Sequence, residues 1–173
     1  MMSTNSLIVR KVDTVFEGVY CHSKGKPRHN GRVLAEHYTE PEKVKRLIAG
    51  GNMSWLGQET GDASTFNPPR NLPFADESYR QPDYDICSFY TRDWRQQGED
   101  AETWPTLDAA VAQMYRGVEW LYVYDDGRWL CAPVLVLASN EPSELGEMLT
   151  VAEWVERNEQ RVAEWFAANK ERR

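Results

Sequence analysis

The chain predicts an α+β domain, a mostly antiparallel sheet of about five strands covered by about four helices, with a long helix at the C-terminus. Three observations carry this. Short runs rich in Val, Ile, Phe and Tyr break at tight-turn residues, as β-hairpins do. Other segments repeat apolar residues at helical spacing between recognisable start and stop signals. The length of 173 residues, 41% of them hydrophobic, suits one core that needs no metal or disulfide staple.

In chain order, SLIVRKVDTVFEGVYCHS predicts strands over 6–12 and 15–22, broken at Asp13-Thr14. A helix over 31–38 follows, in which the Asn30 side chain would accept an orphan amide of the first turn. The next helix, 41–49, opens on Pro41, aligns Val44, Leu47 and Ile48, and stops at Gly50-Gly51. Residues 57–85 hold four of the nine prolines with no sustained period, which predicts a long surface loop.

Alternation over ICSFYTR predicts a strand at 86–92, then a polar loop. Thr106 opens a helix over 106–116 with Leu107, Val111 and Met114-Tyr115 as its buried stripe. Strands at 119–125 and 128–137 flank Asp126-Gly127, a pair suited to a turn whose central residues both need positive φ. Thr150 and Glu153 form a capping box for a helix over 151–170, with Glu153 and Arg157 able to pair one turn apart. Residues 1–149 thus form the α+β core with its loop, and 150–173 an amphipathic helix of the same domain. The helices are expected largely on one face.

Charge excludes some functions. Residues 1–48 carry net +4 and the remainder net −11, giving −7 overall. A net-acidic chain lacks the general phosphate attraction of a nucleic-acid binder. No run approaches the roughly 18 to 20 apolar residues of a membrane span, and MMSTNSLIVRKVD lacks the apolar stretch of a signal peptide. Cys21, Cys87 and Cys131 are sparse and odd in number, with no CxxC, so neither a disulfide framework nor a zinc ribbon is indicated.

The densest chemistry lies in GVYCHSKGKPRHNGR, residues 18–32. Cys21 with His29 is a candidate nucleophile and base, because surrounding cations and a helix start favour thiolate. His22 cannot serve its neighbour, since adjacent strand residues point to opposite faces. No common metal spacing is present, and neither GxxxxGK[ST] nor GxGxxG occurs, so no metal or cofactor is indicated. The plainer reading is a strand end, a Gly/Pro turn and a capped helix start. Tyr20, His22, Lys24, Lys26, Arg28 and Arg32 would then offer an anion-attracting binding surface.

The terminal helix carries a stripe of Val151, Trp154-Val155, Val162 and Trp165-Phe166. That stripe can cover the sheet or meet another chain. In the second case Trp154 and Trp165 are the anchors, for a partner or for self-association.

Tyr20-Cys21-His22, His29-Asn30-Gly31, the following helix and MSWLG, then SFYTRDWRQQGED with its Tyr-x-Arg-Asp motif and EWLYVYDDGRW, occur in an order that resembles a family of small uncharacterised bacteriophage and prophage proteins. The resemblance spans about residues 15 to 131. It departs at Ser23-Lys24-Gly25-Lys26-Pro27, where the family has an acid and two aromatics. It implies action in the cytoplasm of a host bacterium, and by the habit of phage accessory proteins a non-enzymatic role, binding a host or phage protein to redirect the host or block its defences. A small cysteine-dependent hydrolase or transferase using Cys21 and His29 is the alternative, and a virion-associated structural protein a second one.

Overall fold

The computed structural model describes residues 3–62, 85–113, 117–135 and 143–169. Among the described residues the fold is α+β, with five α-helices and a mixed, mostly antiparallel sheet. Most of loop 57–85, the expected Met114-Tyr115 stripe and the ends of the strand at 128–137 and the helix at 151–170 lie outside the described residues.

The sheet is built on two hairpins laid side by side. The first joins β1 (Ser6–Val12) to β2 (Val15–Cys21) through Asp13, whose φ of 52° makes the tight reversal. The second joins β6 (Trp120–Asp125) to β7 (Arg128–Leu135) through Asp126 and Gly127, both with the positive φ that this turn requires. β1 and β6 pair in parallel, Leu7 opposite Leu121 and Val9 opposite Val123. β1 lies between β2 and β6, and because helices pack on both sides of the sheet its run Ser6 to Val9 is buried on both faces.

Short strands finish the two outer edges. On β2, β5 (Glu102–Trp104) pairs antiparallel with Phe16 to Gly18, and β3 (Met53–Trp55) adds in parallel at Cys21. β4 (Ser88–Phe89) lies antiparallel beyond β3. On β7, β8 (Glu144–Leu145) and β9 (Leu149–Thr150) divide the edge in the same way. Short edge strands leave little unpaired backbone to recruit another chain.

Helices cover both faces, not one. Side chains of α1 (Arg32–His37), α2 (Pro41–Ala49) and the start of α5 (Val151–Asn169) form a core with Ile8, Val19, Cys21, Tyr122 and Cys131. On the opposite face Ala110 and Val111 of α4 (Leu107–Gln113) pack with Leu7, Val9, Leu121 and Val123. Strand alternation assigns Ile8 to one core and its neighbours to the other.

Two sequence expectations are corrected. The strand expected over 86–92 ends at Phe89, and Tyr90–Trp94 turns into a short helix, α3. Asp93 Oδ2 accepts the Phe89 amide at 2.8 Å, so the chain closes a helical turn where the ladder would have continued. The helix expected from residue 31 is preceded by a π-helical turn, Pro27–Gly31, and Gly31 occupies the N-cap. Asn30 therefore caps nothing. Its amide Nδ2 is buried and donates to Ser6 Oγ at 3.3 Å, Cys21 Sγ at 3.4 Å and the Ser23 carbonyl at 2.9 Å. Satisfying the inside of the loop outweighs a cap that water could replace at the surface.

Candidate functional site

Residues 22–31 are fixed onto the sheet at three points. Asn30 ties them to β1 and β2, Tyr122 Oη donates to the Gly25 carbonyl at 2.6 Å, and the Gly25 amide donates to Thr4 O at 2.8 Å. The buried side of the loop is thereby spent on the core, and its cations are turned outward. A side chain at Gly31 would press on Val151 and the Tyr122 ring, so its absence lets the first turn of α5 seat against the π-helical turn.

α5 then leaves the body. The capping box forms as expected: Glu153 Oε2 accepts the Thr150 amide at 2.8 Å, and the Glu153 amide donates to Thr150 Oγ1 at 3.3 Å. Val151 is buried, Trp154 and Val155 are half-buried, and Val162, Trp165 and Phe166 are 46%, 61% and 64% exposed. One apolar stripe thus begins as core and ends bare. Trp165 and Phe166 contact each other edge to face, centroids 5.1 Å apart, at the exposed end.

Beneath the overhang lies a cleft of about 870 Å³ between the π-helical turn and α5. Trp120 and Trp154 form its apolar floor, edge to face at 5.3 Å, and Trp154 Nε1 donates to the Cys131 carbonyl at 3.0 Å. Lys26, Arg28, His29 and Arg32 line one wall, and Arg157 and Arg161 the other. Glu159 is the acidic residue of the lining, and Arg32 reaches it at 3.4 Å. Arg157 does not take the expected Glu153 partner, whose carboxylate the cap occupies. It pairs instead with Glu147 at 2.5 Å and lies over the Trp154 ring at 5.2 Å.

His29 senses this field. Partial desolvation, then the cations of Arg28, Lys24, Lys26 and Arg32, hold its imidazole below the ordinary 6.5. Desolvation and the neighbouring cations together disfavour an added proton.

The cleft gathers Lys26, Arg28, Arg32 and Trp154 of the sequence-predicted binding residues, together with His29. Others stand apart. Tyr20 is buried in the core of the opposite face, and its hydroxyl meets exposed His22 Nδ1 at 3.0 Å. Lys24 is exposed outside the lining, and Trp165 lies beyond the cleft on the bare end of α5. Sequence reasoning missed Trp120, Arg157 and Arg161. The spacing of the two arginines, four residues apart on one edge of a helix, was the available signal.

The candidate nucleophile is placed differently from its requirements. Cys21 is buried, its thiol within 3.6 Å of the Ser23 carbonyl, and desolvation pushes it up to about 12. His29 is exposed. An activated cysteine needs the reverse, a thiol reachable by substrate and lowered in pKa. Cys87 and Cys131 are buried too, and burial raises both. Tyr90-Thr91-Arg92-Asp93 also turns inward: the Arg92 guanidinium clasps Asp93 and donates to the carbonyls of Thr60, Gly61 and Cys87, each at 2.7 Å. Among the described residues no cluster of His, Cys, Asp or Glu could hold a metal ion, and no helix is long and apolar enough to cross a membrane. Comparison with protein-family models, with curated proteins and with solved structures finds no match for this chain.

Proposed function

We propose that this chain is a non-enzymatic binding protein that engages a protein partner through the cleft and the overhanging end of α5. The observation that carries the reading is the stripe on α5, covered at its start at Val151 and, past the polar turn of Asn158 and Glu159, exposed at Val162, Trp165 and Phe166. Clustered exposed aromatics of this kind mark interaction sites. The order of motifs resembling small bacteriophage and prophage proteins supports a partner from a host bacterium or the phage itself, met in the host cytoplasm. The buried thiols favour binding over cysteine chemistry.

The test is affinity capture from bacterial lysate with the wild-type chain and with the double variant Trp165→Asp, Phe166→Asp. Both side chains are exposed, so the variant is expected to unfold within about 0.5 kcal/mol of the parent. One stoichiometric partner should be retained by the parent and lost by the variant. Equal capture by both would remove this face from the account.

A further inference from the structure

We infer that the cleft beneath α5 receives an acidic amphipathic helix of a partner protein, its carboxylates meeting Arg28, Lys26 and Arg161 and its apolar side lying on Trp120, Trp154 and Val162. This rests on the protein-binding reading above and names the chemistry of the partner. Charge decides the polar half. Five Lys and Arg side chains line the cleft against Glu159 alone, in a molecule whose net charge is −7. Arg32 and Arg157 are engaged with glutamates, while Lys26, Arg28 and Arg161 make no ion pair among the described residues. A basic or neutral occupant would leave these three facing one another across the cleft, whereas carboxylates would pair them.

Length decides between a small anion and a segment of chain. The cleft volume alone would admit either. The apolar residues of α5, however, run from Trp154-Val155, past Asn158 and Glu159 in the middle turn, to Val162 and Trp165-Phe166, about 18 Å of helix, and extend past the cleft at Trp165-Phe166. A compact anion leaves that extension uncovered. An amphipathic helix with apolar residues at i, i+3, i+4 and i+7 covers it while placing acids along one edge.

His29 provides a reporter inside the site. It is faced by Lys24, Lys26, Arg28 and Arg32 from its own segment, and shares the cleft with Arg157, Glu159 and Arg161 of α5. A helix docked there changes both the solvation and the field around the imidazole, so the His29 resonance must shift when the site is filled.

The experiment uses a fluorescein-labelled helical peptide of about 15 residues, Leu and Phe along one face and Glu beside them, and its twin with Lys in place of Glu. The acidic peptide should bind and weaken as salt rises, and the basic twin should not bind. The variant Arg28→Glu, Arg161→Glu, its fold checked by circular dichroism, should lose at least about tenfold in affinity. In proton NMR the His29 resonance, assigned with His29→Gln, should shift on saturation with the acidic peptide and stay in place with the basic twin.

Equal binding of both peptides, no effect of the charge reversal, or an unmoved His29 resonance would overturn the inference. So would a dimer in sedimentation that the charge reversal dissociates, since a second copy would then occupy the face. If the acidic peptide fails while Trp165→Asp, Phe166→Asp still abolishes capture, this inference falls and the protein-binding reading stands.

Discussion

Cys21 and Asn30 define each other. The Asn30 amide donates to the sulfur, Ser6 and Ser23, so the loop closes over the thiol and holds it away from water. A group whose folded pKa is raised keeps its proton longest in the native state. At neutral pH all three cysteines should therefore resist a soluble disulfide reagent, reacting at least about 100-fold faster once the chain is unfolded. Rapid native labelling of Cys21 would revive a nucleophilic role. The linked pH effect follows in sign: above the ordinary thiol value of 9.0 unfolded chains lose protons that native Cys21 retains up to about 12, so stability falls as pH rises through that window. Strand alternation made the separation of Cys21 from His22 legible in sequence. The role of Asn30 was not legible, because its acceptors Ser6 and Cys21 come from two other strands and only the tertiary fold brings them to it.

The elements with strong local signals stand where sequence placed them. Pro41 and Gly50 bound α2, Thr150 and Glu153 start α5, and the paired positive-φ residues turn the second hairpin. The elements that sequence missed are short and depend on distant partners. β5 and β3 are three-residue strands, held by pairing along β2 and by burial of Trp104 and Met53. α3 depends on an ion pair. Arg92 neutralises Asp93, whose side chain is 3% exposed, and the same guanidinium holds three carbonyls from the flanking segments. The substitution Arg92→Ala would leave that buried carboxylate without its guanidinium, and chemical denaturation should show a loss of about 3 kcal/mol. A loss below about 0.5 kcal/mol would show that the clasp contributes little. The Tyr-x-Arg-Asp motif is accounted for by the packing of β4 and α3.

Across the whole molecule, charge and apolar surface are distributed unevenly. Net charge is acidic, yet the cations of the first third and those of the last helix converge on one cleft. Sequence showed the basic character of residues 18–32 and the amphipathic terminal helix as separate features. It could not show that they face each other, since more than 120 residues separate Arg28 from Arg157 and tertiary contacts, the seating of Val151 against Gly31 and the reach of Arg32 to Glu159, join them. Nor could periodicity show that the stripe is part core and part bare, because both uses have the same spacing. The central claim is that this face meets a protein. A photoreactive benzoylphenylalanine placed at Trp165, with Thr103 on the far edge of the sheet as control, tests it most directly in bacteria making the protein. On irradiation the account predicts one dominant crosslinked partner from position 165 and none from position 103; no crosslink at 165, or the same products from both positions, would contradict it.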